Sequence, residues 1–372
     1  MTAIEEVLEA LKNDKIKVIA QVAPALRVTI GEEFGYKPGT ILTKKFVCAL
    51  KKAGFNKVFD TSTAADVVTV EEGTELLNRL ETGESLPLFT SCCPGSVLFI
   101  ENKFPQYVDH FCTVKSPQQT MGSLIKTYYA RKLNLKQKDI FVVSIMPCAV
   151  KKIEAKRPEM HFNGLPNVDV VLNTREIAQL LKDKKIDLKK CEDAEFDRLL
   201  GEASGAGQLF GKTGGVSEAL LRYVAFRLGD KSGKIEYKEV RGNKGLLEAN
   251  VKINNKILKV AVVDGLNNLR NLISDEKNFH KYTVIELMVC PNGCVGGGGQ
   301  PISTPEIRDA RKNALIEIDS KEKIRMAWDN SEVRKLYEEY LDEPGSKIAR
   351  SLLHTSKVCL WCCDIPHPDE KK

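Results

Sequence analysis

Short apolar runs rich in β-branched residues punctuate the chain, separated by stretches in which apolar positions recur at helical spacing. Such alternation predicts an α/β protein with mostly parallel sheets, because parallel strands need a crossover, usually a helix, between them. The first four runs are KVIAQV at 17–22, KVFDT at 57–61, LPLFTS at 86–91 and IFVVSIM at 140–146. After EMHFNGLPN at 159–167 come VDVVLN at 168–173, IEYKEV at 235–240, LKVAVVDG at 258–265 and YTVIELMV at 282–289. The expected architecture is two lobes, each a mostly parallel four-stranded sheet flanked by helices, with the active site in the cleft between them. The boundaries read as 1–158 for the first lobe, 159–353 for the second and 354–372 for a Cys-rich C-terminal tail. No Ser/Gly-rich linker marks the junction.

Composition narrows the class. With 372 residues, 42% hydrophobic and 28% charged, the chain has globular values. No stretch approaches the roughly 18 apolar residues of a membrane span. The start, MTAIEEVLEALKNDKIK, has no apolar signal core, so a cytoplasmic location is expected. The net charge of +6 comes from scattered lysines. They read as solvated faces or as a docking surface for an acidic partner, and no motif supports nucleic-acid binding.

Eleven cysteines without an export signal point to metal or redox chemistry. The ferredoxin run of closely spaced cysteines is missing, so any cluster must be assembled from distant segments. Expected strands end in Cys92–Cys93, in Met146-Pro147-Cys148 and in Cys290, with Cys294 four residues on. In open parallel sheets the carboxyl ends of the strands form the binding crevice, so Cys93, Cys148, Cys290 and Cys294 can converge there. Four soft thiolates suit a 4Fe-4S cubane or zinc, although neither pair has the usual zinc-knuckle spacing. Buried, unliganded thiols are the remaining alternative. The sequence CPNGCVGGGGQP at 290–301 adds four successive glycines. Each costs about 0.5–1 kcal/mol against alanine in regular structure, which suggests something bulky against the main chain.

TSCCPG at 90–95, MPCAVKK at 146–152 and ELMVCPNGCVGGGGQP at 286–301 resemble, in order, the three signature motifs of the iron-only (FeFe) hydrogenases. The resemblance extends through VAPALRVTIGEEFGY, VFDTSTAADVVTVEEGTELLNRLETG, KSPQQTMG, SGAGQLFGKTGGVSEALLR and LLHT, over almost the whole chain. It implies that Cys93, Cys148, Cys290 and Cys294 hold a cubane. Cys294 would also bridge to a diiron subsite bearing CO, CN and an azadithiolate, the whole being the H-cluster. Gly296 to Gly299 would then let the main chain close over the cofactor. Lys151 would point its ammonium at an iron-bound cyanide, with Lys152 exposed. Met146 and Met288 would offer thioethers, and Pro24, Ala25, Gln118, Pro147 and Phe210 would line the cofactor. Cys92 would be the terminal proton donor, reached from the surface through Glu72 and Glu75, with Arg79 near the mouth. Residues 72, 75 and 79 share one helical face by spacing alone, where a solvated Glu–Arg pair is the plain alternative.

Two positions depart from the family pattern. Cys112 stands where a hydroxyl-bearing serine is usual on the proton path; a thiol is the weaker donor, so slower transfer or an intervening water is expected. Ser96 replaces a tryptophan, which should open the cluster loop to solvent. The resemblance begins near the first residue, so the expectation is a minimal form in which electrons would enter directly at the cubane. The implied activity is reversible reduction of protons to H2, with ferredoxin or a similar small carrier as donor and maturation proteins installing the diiron unit. The rivals are a hydrogen sensor with low turnover and a non-catalytic iron-sulfur assembly or carrier relative. AGQLFGKT at 206–213 matches a loose phosphate-loop pattern, but what precedes it is not strand-like. In the tail, Cys359, Cys362 and Cys363 with His354 or His367 are a candidate extra metal site, and Trp361 makes partner docking the other reading.

Overall fold

The computed structural model describes residues 1–90, 92–229, 238–239, 245–253 and 256–355. In chain order the strands are β1 (Lys17–Val22), β2 (Lys57–Asp60), β3 (Leu88–Phe89), β4 (Ile140–Met146), β5 (His161–Phe162), β6 (Leu165–Pro166), β7 (Val170–Asn173), β8 (Lys238–Glu239), β9 (Leu246–Ile253), β10 (Lys256–Asp264) and β11 (Val284–Met288). β2, β1, β4 and β7 form an all-parallel four-stranded sheet in that order. Beyond its first residue β1 is buried on both faces, as a parallel strand covered by helices must be.

The second sheet corrects the expected plan. It has five strands in the order β3-β11-β10-β9-β8, and only β3, β11 and β10 are mutually parallel. β9 runs antiparallel to both its neighbours, β10 and β8, and from Ala249 to Ile253 it alternates between more covered and more open positions, as a strand with one wetter face does. The sheets also exchange strands across residue 158. β3 from the first half pairs with β11, and β7 from the second half pairs with β4. A cut at 158/159 therefore does not separate the two sheets. Of the expected IEYKEV strand, only 238–239 fall within the described residues.

The helix Thr61–Thr82 runs through the centre, between the helices Pro117–Leu124, Gly205–Gln208 and Gly215–Arg227. Asp60 caps it by accepting from the Ser62 N–H, and Gly83 at φ +76° ends it. It is buried on all sides from Thr61 to Gly73, which is how a β-branched run such as Val-Val-Thr-Val stays helical: burial outweighs propensity. Gly73 has to be glycine, since a Cβ there would lie 2.2 Å from the Tyr223 ring. No helix among the described residues is long and apolar enough to cross a membrane.

The helix Lys347–Leu353 leads into His354, which bridges to Val114, and the Thr355 N–H donates to Thr113 O at 2.8 Å. The first two residues of the expected tail therefore belong to the body of the protein. His354 is also withdrawn from any metal site in the tail, because both ring nitrogens are engaged, by Thr113 and by Glu71. Residues 356–372, with Cys359, Cys362, Cys363, Trp361 and His367, lie outside the described residues.

Candidate metal centre

Adjacent strand ends assemble the thiols. Cys93 caps the helix Pro94–Lys103 just after β3, Cys290 follows β11, the neighbour of β3, and Cys294 sits in the turn Gly293–Gly296. Cys148 follows β4 of the other sheet, and the Gly299 N–H donates to Pro147 O at 2.9 Å, tying the two strand ends together. All four cysteines are half-buried. Burial pushes the Cys294 thiol well up, and Cys93, Cys148 and Cys290 push it further. Cys290 is pushed up to about 11 by burial and then by Cys93 and Cys148. Lys151 is the cation that favours ionising Cys148 and Cys294.

Burial and mutual repulsion disfavour the thiolate forms of these cysteines, and a positively charged occupant would favour them. Among the described residues no three or more His, Cys, Asp or Glu side chains converge on one metal-ion position. Four soft thiols brought from separate strand ends suit a cubane, in which each thiolate takes a different corner. The donor set thus fits an iron-sulfur cluster.

The glycine run has a different cause from the expected one. A Cβ at Gly297 would lie 2.5 Å from Pro147 O, one at Gly296 would lie 2.1 Å from Pro291 O, and one at Gly299 would lie 2.7 Å from the Asn173 Cβ. These three glycines let protein main chain pack against protein. Only Gly298 faces open space, and its N–H donates to the Cys290 sulfur. Arg311, fully buried on the helix Pro305–Lys321, clamps the same loop. It donates to Val295 O at 2.8 Å and Pro301 O at 3.1 Å while its fork grips both Glu32 oxygens at 2.7 and 2.6 Å. No sequence spacing pointed to it.

The remaining candidates cluster around these thiols. Phe210, Met288 and Cys112 belong to one apolar cluster against which Cys92 and Cys93 pack. The turn Pro24–Val28, which opens with Pro24 and Ala25, packs on the turns Leu209–Gly211 and Gly293–Gly296. Met146, 3% exposed, ends β4 and is followed by buried Pro147. Buried Lys151 donates to Cys92 O at 3.0 Å and to Glu154 at 2.9 Å. Burial lowers its affinity for a proton, but Glu154 outweighs this and the net shift is upward. Lys152, expected to be exposed, pairs with Glu176. The Gln118 side chain is committed to protein, donating to Lys151 O and Glu154 and accepting from Ser144. Glu154 was missed, although its place three residues after Lys151 on a helix was a readable signal.

On the other side of Cys92 lies a line of ionisable groups. Burial pushes the Cys92 thiol well up, and Glu72, 1% exposed, adds to this. Glu72 is also an electrostatic neighbour of Cys112. The Cys112 thiol donates to Glu75 Oε2 at 3.3 Å, directly and without the expected water between them. Glu75 Oε1 accepts from Arg79 at 2.6 Å, and Arg79 donates onward to Ser85 O at 2.8 Å, in the exposed rim. Burial favours the neutral Glu75 carboxyl, but Arg79 and the donors Thr113 and Cys112 outweigh it and hold its pKa below the usual range. Ser96 does not open the loop: it is 0% exposed, and its hydroxyl donates to Cys93 O at 2.8 Å. The segment 206–213 follows no strand; it forms a short helix and turn, and Lys212 pairs with Glu218.

The fold and the donor set define an α/β protein built around a cluster-sized group of thiols. Residues 16–298 match the family model for the iron-only hydrogenase large subunit, C-terminal domain, and residues 305–356 match that for the iron hydrogenase small subunit. The chain belongs to the iron-only hydrogenase family. It is 44% identical, over 95% of its length, to the NADP-reducing hydrogenase subunit HndD of Solidesulfovibrio fructosivorans, and spans 62% of that relative. It is 30% identical, over 91% of its length and 85% of the relative, to the cytosolic Fe-S cluster assembly factor narfl of Danio rerio. The apo [FeFe]-hydrogenase HydA1 of Chlamydomonas reinhardtii, variant C377H, superposes with a TM-score of 0.87 at 36% identity, covering 96% of this chain and 99% of that one.

Proposed function

We propose that this chain is an FeFe hydrogenase that reversibly reduces protons to H2 at an H-cluster in the cytoplasm. Ferredoxin or a similar small carrier would supply electrons, and maturation proteins the diiron unit with its CO, CN and azadithiolate ligands. What supports this reading most is the joint placement of four cluster-suited thiols and, beside them, the line Cys92, Glu72, Cys112, Glu75 and Arg79 leading outward. The second feature is what an enzyme that consumes protons at a buried site requires.

In this reading Cys93, Cys148, Cys290 and Cys294 hold the cubane, and Pro24, Ala25, Gln118, Met146, Pro147, Phe210 and Met288 enclose the cofactor. The H-cluster supplies the metal site where electrons and protons combine. The chain supplies the protons. Cys92 holds one at Sγ and exchanges it with the buried Glu72 carboxyl; the Cys112 thiol passes it to Glu75, and Arg79 keeps Glu75 ready to accept from the rim. Lys151 donates to the Cys92 carbonyl and would offer its positive charge to the cyanide ligands of a bound H-cluster.

Anaerobic infrared spectroscopy of cubane-reconstituted, matured protein, with H2 evolution from a reduced dye, tests the reading. Carbonyl and cyanide bands with evolution are expected. Bands with scarcely any evolution would indicate a hydrogen sensor. A cubane without bands would leave an iron-sulfur assembly protein, the reading favoured by the narfl relative.

A further inference from the structure

Thr113 stands between two acidic systems. Its Oγ1 lies 2.6 Å from Glu75 Oε2 and 2.8 Å from His354 Nδ1, while His354 Nε2 lies 2.8 Å from Glu71 Oε2. Glu71 is 0% exposed and already accepts from the Tyr337 hydroxyl at 2.7 Å and the Gly345 N–H at 3.0 Å, so it is an acceptor toward His354 as well. Three links thus join Glu75, Thr113, His354 and Glu71, and each requires one hydrogen. The Thr113 hydroxyl and a neutral imidazole bring two. One more proton completes the chain.

That proton has two resting places. On His354, both ring nitrogens donate and the Thr113 hydroxyl donates to Glu75. On Glu75, the carboxyl donates to Oγ1 and the Thr113 hydrogen turns to Nδ1. Passing from the first state to the second moves one hydrogen from Nδ1 to Oγ1 and another from Oγ1 to Oε2. No heavy atom has to move and no water takes part. An imidazolium–carboxylate pair becomes a neutral pair, so the total charge is unchanged.

We propose that His354, acting through Thr113, stores a proton beside Glu75 and returns it to that carboxyl, forming a side arm on the path from Cys92 to Arg79. Its use in turnover rests on the hydrogenase reading; its existence does not. Each H2 takes two protons, so a filled store next to the path shortens the wait for the second. Two carboxylates face the imidazole, Glu71 and Glu75, the latter 4.0 Å from Nδ1. The nearby cations are held on other acceptors: Arg79 on Glu75 Oε1 and Phe111 O, Lys115 on Leu352 O, and Arg350 on Gly345 O. Cys112 and Tyr337 are the other titratable groups, each donating to one of the carboxylates.

The test is a pH-difference infrared titration of the full, unmatured chain with ring-labelled histidine, using H354Q to identify the His354 bands. In the wild type, imidazole and Glu75 carboxyl bands should change together in one coupled step. T113V keeps the backbone N–H of residue 113 on Glu75, 3.0 Å away, but removes the hydroxyl, and should split that step in two; T113S should restore it. In matured protein, T113V should change the pH profile of H2 evolution and T113S should return it. A coupled step that survives in T113V, or that never occurs in the wild type, overturns the arm. Failure of the matured wild type to evolve H2 would instead overturn the hydrogenase reading and leave the infrared result standing.

Discussion

Replacing Arg311 with methionine isolates what holds the cluster loop. The guanidinium is 0% exposed and Glu32 only 11% exposed, so R311M leaves a carboxylate confined without its cation. Breaking a buried pair from one side costs about 3–5 kcal/mol, and the partial exposure of Glu32 points to the lower end. Val295 O and Pro301 O also lose their donor, which loosens the loop that carries Cys294. Against a typical stability of about 5–15 kcal/mol the loss is large but need not abolish folding. Urea denaturation of apoprotein should show a midpoint shift of corresponding size. In the R311M background, E32Q should recover part of it by removing the stranded charge. R311K should recover little, because an ammonium cannot reproduce the fork that grips both Glu32 oxygens and two carbonyls. Reconstituted R311M should also retain less iron than wild type. A loss below about 1 kcal/mol, the level of a surface pair, would refute the clamp. So would an E32Q change with no effect in the R311M background.

Other outcomes follow from single contacts. G299A should lose iron retention, since its Cβ would meet the Asn173 Cβ at 2.7 Å and Pro147 at 3.0 Å, whereas G298A, with nothing within 4 Å, should retain it; equal behaviour of the two would contradict the packing account. In matured protein C112S should raise turnover, because a hydroxyl is a stronger donor to Glu75 than the thiol; unchanged turnover at every pH would count against the relay. Burial raises Asp66 to about 7, against the opposing hydrogen bonds of Ser204 and Asn330. The folded state therefore holds a proton that the unfolded state releases near pH ~3.9, and the stability this contributes is present in acid and lost as pH rises through that folded value. Unfolding midpoints should fall between pH 5 and pH 8 by less in D66N than in wild type, and an equal fall would place the buried charge elsewhere.

Local chemistry made much of this protein legible in its sequence. Apolar runs marked the strands, because burial on both faces demands continuous apolar residues, and their carboxyl ends located the crevice. Thiols beside proline and glycine announced a soft-metal site, and the spacing of Glu72, Glu75 and Arg79 gave one helical face. Pairing between distant segments was not legible. Which sheet β3 and β7 join depends on pairings across 196 residues, Leu88 with Val284, and 27 residues, Val143 with Val170, and on nothing within the strands themselves.

Tertiary structure alone decided the rest. The glycines at 296, 297 and 299 read as room for a cofactor, yet the atoms that crowd them belong to Pro291, Pro147 and Asn173, two of which come from distant segments. Ser96 read as an opening, yet its hydroxyl turns back onto Cys93 O inside a closed core. His354 read as part of a tail, yet the bridge to Val114 carries it against Thr113 and Glu71. In each case the residue type was visible and its partner was not. A side chain's chemistry is a property of the residue, whereas what it faces is set by how segments far apart in the chain pack together.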